Sequence, residues 1–394
     1  MNHPGLGDRV WYIAYLPILL LTVASAISHP QESILSPDSV SGLPLVDLAV
    51  DSARQSVVDR EEGQYLGHPT TTLLDDSSTI LAVYPMGHGA GPIVMKRSTD
   101  GGRTWSSRLP TPRSWESSKE TPTIHRISCG GGRTRLLLFS GLYPIRMSIS
   151  DDRGESWSEL EPIGDFGGIV TMSSLVQLSD GKLLALFHDD GRFFTPGRQD
   201  AVHPVFTVFR TISSDCGLTW PFPKGIACDS AVHLCEPGIV RSPHGDTFAV
   251  LLRENSRSRN SFVIFSSDRG ETWSNPRELP ASLTGDRHVG CYAPDGRIVV
   301  VFRDMARGSP THGDWVGWVG RFEDLAASRP GLFRIRFMKN WHDADCGYSG
   351  LELLPDGTFV ATSYGHWISG KEPYIVAGRF RMEELDRRLQ KIGK

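Results

Sequence analysis

The chain has 394 residues, a formal net charge of −4 at pH 7, 22% charged residues, 41 glycines and 26 prolines. Its length supports a substantial buried core, and its near-balanced charge offers no broad basic surface for nucleic acid. The abundance of turn-forming residues points to a soluble, all-β protein.

Residues 11–23 are almost uninterruptedly apolar, Arg9 precedes them, and Ala24-Ser25-Ala26 has the small-x-small form of a cleavage site. The run is shorter than the ~20 residues a membrane-spanning helix needs. Residues 1–26 therefore read as a signal peptide, with an uncleaved anchor as the alternative. Cleavage would leave a secreted or periplasmic protein with no membrane attachment. Residues 27–63 read as a linker and a closing strand.

From residue 64 to 380 one unit recurs: an apolar strand, a tight turn and a second apolar strand. Asp180-Gly181, Gly245, Asp295-Gly296 and Asp356-Gly357 mark four clear hairpins. Degenerate versions lie at Asp75-Asp76 and at Gly130 to Gly132. Six units result, beginning near His68, Glu120, Val170, Glu236, Arg287 and Tyr348. In the first four, a third strand leads into a repeated phrase, S-x-D-x-G-x-[S/T]-W, at Asp100, Asp152, Asp215 and Asp268. Asp and Ser can bond the turn's own backbone, Gly can take a positive φ, and Trp can plug the adjacent core. The last two units lack the phrase but keep a third strand, at 315–322 and 374–380. Repeats of this length with about four short strands predict a six-bladed β-propeller. Residues 381–394, charged with leucines at helical spacing, predict a short terminal helix.

The six cysteines, Cys129, Cys216, Cys228, Cys235, Cys291 and Cys346, form no zinc-type spacing. Export would permit disulfides, and buried free thiols are an equal alternative. No metal or cofactor is implied.

In an up-and-down blade, first strands begin and second strands end on one face, and the repeated phrase lies on the other. Chemistry is therefore expected at those starts and ends. First-strand starts carry His68, Glu236, Arg287 and the run from Asp345 to Ser349. Second-strand ends carry Tyr84 with His88, His188 to Asp190, Arg253, Arg303, and Tyr364 with His366.

The repeated phrase resembles the Asp boxes, or BNR repeats, of the sialidase (neuraminidase) superfamily, over roughly residues 64 to 380. Glu236-Pro-Gly-Ile-Val, followed by Leu251-Leu-Arg253, is similar to the segment that carries that family's glutamate and one arginine of its carboxylate-binding triad. Gly347-Tyr348-Ser349-Gly-Leu is similar to the segment of its tyrosine nucleophile. The resemblance implies Tyr348 as nucleophile, Glu236 as its base and Arg253 as a carboxylate ligand. A neutral phenol avoids the repulsion that a carboxylate would meet at the anionic anomeric centre of a sialic acid.

The family's first-blade arginine is replaced here by His68, and the segment from Tyr84 to Gly91 carries no carboxylate for its acid. The acid role passes to His88, Asp189 or Asp190, and a histidine suits it. Arg303, Arg307 and Arg287 compete for the remaining arginine position, with Tyr364 as a further substrate-side group. Arg253 and Arg303 are expected to face the channel mouth around an anion, or otherwise to pair with Glu254 and Asp304. Protonation of His68 would tighten anion binding as pH falls. The implied function is an exported exo-glycosidase that removes a terminal sialic acid or related acidic sugar from a glycan substrate. The alternatives are a non-catalytic carbohydrate-binding or interaction propeller, and a propeller glycosidase acting on another sugar.

Overall fold

The computed structural model describes residues 40–194 and 205–392. The predicted leader at 1–26 lies outside the described residues. Six antiparallel sheets form the six blades of a β-propeller. The first strands are Thr70–Leu73, Thr123–Ser128, Ile169–Gln177, Leu234–Arg241, Gly285–Tyr292 and Cys346–Leu353. They contact one another in a closed ring around the axis. Two glycines show how tightly that ring is drawn. A Cβ on Gly238 would lie 2.2 Å from the His288 carbonyl oxygen, and one on Gly350 would lie 1.9 Å from Thr71 Oγ1.

The second strands are Ile80–Pro85, Thr134–Ser140, Leu183–Asp189, Phe248–Glu254, Ile298–Asp304 and Thr358–Gly365. Each is packed on both faces, so its sequence is a continuous apolar run and not an alternation. In the first blade, Ile80, Ala82 and Tyr84 face the last blade, whereas Leu81 and Val83 face the second. Such interleaving builds six core clusters, one between each pair of neighbouring blades. The apolar runs end in charged or hydroxylic residues on one face, because there the strands leave the core.

Gln55–Asp59, which precedes the first blade in sequence, pairs antiparallel with Tyr374–Arg381 as the outer strand of the last blade. Leu45–Asp47 adds a parallel strand outside Phe333–Met338 in the fifth blade. The fifth blade's third strand spans Trp315–Gly320 and stops short of residue 322. The helix Phe322–Ala327 begins there, because Asp324 accepts the Arg321 amide at 2.8 Å and starts a helical turn. Met382–Ile392 forms an amphipathic helix. Among the described residues no helix is long and apolar enough to cross a membrane.

Each repeated phrase closes on itself. At Asp268, Ser266 donates to Oδ1 at 2.8 Å, the Thr272 amide donates to the same oxygen at 2.9 Å, and the Gly270 amide donates to Ser266 Oγ at 2.9 Å. Asp100, Asp152 and Asp215 repeat the arrangement. All four phrases follow third strands, so the antiparallel order puts them on the face opposite the first-strand starts. Cys129 and Cys216 form a disulfide across 87 residues, tying the second blade's first turn to the third blade's phrase. Cys228, Cys235, Cys291 and Cys346 are free.

Candidate active site

The site is built by one backbone irregularity repeated around the ring. Cys235 pairs with Arg253, but the next pair is Gly238 with Leu251, so Glu236 and Pro237 oppose a single residue. The same bulge places Arg287 and His288 between the pairs Asp286–Arg303 and Val289–Val301. It recurs with Tyr348 and Ser349 between Gly347–Tyr364 and Gly350–Thr362. A longer register shift follows the pair Ile169–His188 in the third blade. The first bulge residues have left-handed backbones, with φ of 49° at Glu236, 53° at Arg287, 55° at Tyr348 and 45° at Val170; His68 in the first blade has φ 55°. Such conformations cost on the order of 1–3 kcal/mol each in non-glycine residues, and bulges re-aim side chains. The residues paired just before the shifts, His188, Arg253, Arg303 and Tyr364, supply a second tier.

Two members of the first tier meet. The Tyr348 hydroxyl donates to Glu236 Oε1, which also accepts from Arg253 Nη1 at 2.6 Å. Both acceptor and phenol are buried, at 3% and 8% exposure. Burial and the adjacent Glu236 charge push the Tyr348 phenol well above its ordinary value, against the opposing pull of Arg253 and Arg303. Burial alone would raise the Glu236 carboxyl, but Arg253 and the Tyr348 hydrogen bond hold it below its ordinary value. Glu236 Oε2 is buried without a hydrogen-bond partner.

Arg253 and Arg303 do converge, around a group the sequence reading passed over. Asp286, 0% exposed, accepts from Arg303 Nε at 2.8 Å and Arg257 Nη2 at 2.8 Å, and Arg253 Nε lies 3.2 Å from its other oxygen. The last contact is an ion pair without hydrogen-bond alignment, since Arg253 Nε has no hydrogen-bond partner. Despite burial, the three guanidinium groups hold Asp286 far below the usual carboxylate range. The partners are thus Glu236 and Asp286, not Glu254 and Asp304. Glu254 accepts the amides of His233, Ser256 and Ser258, and Asp304 pairs with Arg334. Arg287 points elsewhere, donating to the Ser173 carbonyl at 2.8 Å. It lines a cavity of about 240 Å³ on the axis with Thr71, His125, Ser349 and Glu352. Arg307 is exposed and donates to the Arg257 carbonyl at 2.8 Å. Beside Arg257 a wider cleft of about 640 Å³ is lined by Arg257, Arg259, Arg307, His312, Glu254 and Glu278.

A second cluster adjoins Tyr348. The His68 ring lies 4.4 Å from Tyr348, 4.6 Å from Tyr364 and 4.9 Å from His88, between ring centroids. Asp345 accepts from Tyr65 at 2.8 Å and from Tyr364 at 2.9 Å on Oδ1, and His366 Nε2 lies 3.1 Å from Oδ2. His88 is 68% exposed at the rim, its Nδ1 2.7 Å from the Tyr65 hydroxyl. The surroundings of His68 oppose the charged form that a replacement cation needs. Burial, together with His88, Arg303 and Arg253, depresses it well below its ordinary value, and its Nδ1 accepts the Gly89 amide at 3.3 Å. A depressed imidazole works against the expected tightening of anion binding through His68.

Asp189 accepts the amides of Gly191, Phe193 and Phe194 at 2.7, 3.1 and 3.2 Å, and Asp190 pairs with Arg192. Both shape their own loop. Sequence reasoning missed Asp286, one residue before a bulge residue; Asp345, which it set at a strand start without a role, lies three residues before another. Overlaying the six strand starts would have exposed Asp286 as the counterpart of Cys235. Glu120 begins the second blade and is also buried. Burial raises its carboxyl to about 7, with Glu236 adding to the effect against the Thr121 and Val170 amides.

Comparison with known proteins agrees with this architecture. The BNR repeat-like domain family matches residues 135–309. A sialidase of Clostridium perfringens is 24% identical over 247 residues, covering 61% of this chain and 56% of that protein's own length. A Dyadobacter fermentans protein of unknown function superimposes with a TM-score of 0.66 at 15% identity, covering 83% of this chain and 97% of its own. The NanB sialidase from Streptococcus pneumoniae gives 0.55 at 13% identity, covering 84% and 71%. With its four repeated turns on one face and its bulge-borne side chains on the other, the chain is a six-bladed β-propeller that resembles BNR-repeat proteins and sialidases.

Proposed function

We propose that this protein is an exported exo-glycosidase that uses Tyr348 as nucleophile and Glu236 as the base that activates it. The observation that carries the reading is the hydrogen bond from Tyr348 to Glu236, made by two residues held in strained, equivalent bulges of different blades. A phenol pushed upward by burial is a poor nucleophile alone. The Glu236 carboxylate, kept ionised by Arg253, takes its proton as the oxygen attacks the anomeric carbon. His88 at the rim serves as the acid that protonates the departing oxygen.

Charge favours an acidic sugar such as a terminal sialic acid. Arg253, Arg257 and Arg303 face Asp286 and Glu236, which leaves one uncompensated positive charge for a substrate carboxylate. The wider cleft beside Arg257 is placed to receive the rest of the glycan. A second reading, a glycosidase for a neutral sugar, draws on Asp286, which already occupies the arginines. Aryl glycosides of sialic acid, uronic acids and neutral sugars separate the two. Cleavage of an acidic member, lost by orders of magnitude in Tyr348→Phe, is the expected result. Cleavage confined to neutral glycosides rejects the acidic-sugar reading, and an unchanged rate in the variant rejects the nucleophile.

A further inference from the structure

We propose that Asp345, acting through the Tyr65 hydroxyl, is the positioning carboxylate of His88 and confines the exchangeable catalytic proton to His88 Nε2. This rests on the glycosidase reading above and assigns the missing half of its acid. The first-blade loop offers an imidazole without a carboxylate beside it in sequence. The carboxylate comes from the last blade, 257 residues away along the chain.

The argument is a count of protons. Tyr65 has one hydroxyl proton and three neighbours, His88 Nδ1 at 2.7 Å, Asp345 Oδ1 at 2.8 Å and the Tyr364 hydroxyl, which has a proton of its own to give. Asp345 accepts from Tyr65 and Tyr364 while His366 Nε2 lies 3.1 Å from its other oxygen, and those contacts hold its carboxyl below its ordinary value although burial opposes them. An ionised carboxylate oxygen has no proton to give, so a 2.8 Å contact requires the Tyr65 proton to lie on the Asp345 side. The contact with His88 then requires Nδ1 to carry a proton and donate to the Tyr65 oxygen. Tyr364 repeats the pattern. It donates to Asp345 at 2.9 Å while its oxygen lies 3.3 Å from His68 Nε2, and His68 Nδ1 accepts from Gly89. Both chains run toward Asp345 with one polarity.

With Nδ1–H fixed in both charge states, only Nε2 gains or loses a proton. In the first step the Nε2 proton passes to the glycosidic oxygen as its bond to the anomeric carbon breaks. The Tyr348 oxygen bonds that carbon and the Tyr348 proton moves to Glu236. In the second step neutral Nε2 takes a proton from the water that displaces Tyr348, and Glu236 returns its proton to the phenol. Acid and base are then one atom, and the cycle closes. The titratable groups facing His88 are Tyr65, His68 and Asp345, with Tyr364 and His366 behind Asp345 and Arg303 behind His68. Asp345 is the carboxylate in contact with it.

Two measurements on the full chain test this, with Asp345→Asn, the narrower Tyr65→Phe, and His88→Gln for assignment. The first is ¹⁵N NMR of the histidine rings, which needs no substrate. The neutral His88 ring should be mainly Nδ1–H, and should move toward the Nε2–H form in both variants. A native ring without Nδ1–H, or one that Tyr65→Phe leaves unchanged, overturns the proposal. The second compares leaving groups on whichever glycoside the protein cleaves. A dinitrophenolate departs without a proton, whereas an alkoxide needs one. Both variants should lose at least tenfold more kcat/KM on the alkyl glycoside, while Tyr348→Phe should lose both alike. Equal losses on the two leaving groups in Tyr65→Phe overturn the positioning role and leave the glycosidase reading intact. Absence of any cleavage with the expected ring spectra refutes the glycosidase reading, and the acid role with it.

Discussion

Asp286→Asn should destabilise the propeller and at the same time sharpen its taste for anions. The substitution keeps the shape of the side chain but removes the negative charge around which Arg253, Arg257 and Arg303 are gathered. Unit charges about 4 Å apart interact by roughly 4 kcal/mol at an effective dielectric constant near 20. Removing one partner from a buried ionic group typically costs about 3–5 kcal/mol, because the remaining charges stay buried and uncompensated. With about 0.7 kcal/mol per degree of unfolding entropy for roughly 350 ordered residues, Tm should fall by about 4–7 °C. The arginine cluster's excess over Asp286 and Glu236 rises from one positive charge to two. A thermal-shift titration with sialic acid and with a neutral hexose reads both effects, since a ligand that binds only the folded state raises Tm by an amount that grows with the logarithm of its concentration over Kd. The variant should begin lower and regain more of its stability with the acid than the native protein gains, while the neutral sugar should not discriminate. A loss below about 1 kcal/mol, or equal rescue by the two sugars, would refute the claim that Asp286 holds the arginines against an anion.

Glu120→Gln should flatten the pH dependence of stability. The folded carboxyl sits at about 7 against 4.5 for the free group. The folded state therefore holds the proton more tightly, and its contribution is complete below about 4.5 and lost as pH rises through about 7. That contribution is roughly 3 kcal/mol, so denaturant unfolding at pH 5 and pH 8 should differ by about that much less in the variant; an identical difference would discount the burial argument. Cys129→Ser opens a loop of 87 residues and should cost up to about 4–5 kcal/mol under oxidising conditions. Thiol titration of the unfolded native protein should find four free groups, and six would exclude the bridge. Trp220→Ala removes a buried ring that lies edge-on to Phe139, 5.6 Å between centroids, and should cost about 3–5 kcal/mol; a change under about 1 kcal/mol would make the repeated turn's tryptophan a surface feature.

Hairpin chemistry was legible in the sequence because it is local. Each Asp-Gly turn and each S-x-D-x-G-x-[S/T]-W phrase is completed by hydrogen bonds within about four residues, so four copies announce the repeat, and with it the propeller, before any packing is known. The uninterrupted apolar second strands carry the same information, because a strand buried on both faces has no polar side to show. The polar residues at their ends could likewise be placed on one face from strand order alone. What the sequence left open was which of those ends touch. Arg303 reads equally well as a partner of Asp304 or as a ligand of an anion in the channel, and the structure turns it to Asp286. The bulges at Glu236, Arg287 and Tyr348 break that alternation, and no residue type near them marks the break. His68 resembled a cation until its burial among Tyr348, Tyr364 and His88 set its surroundings against the charged form. Asp345 became a partner of His88 only when the ring closed and brought the first and last blades together. Turn type, repeat and face belong to contacts between neighbours along the chain. Charge state and pairing belong to contacts across the axis, where closing the ring sets the distance and desolvation sets the sign.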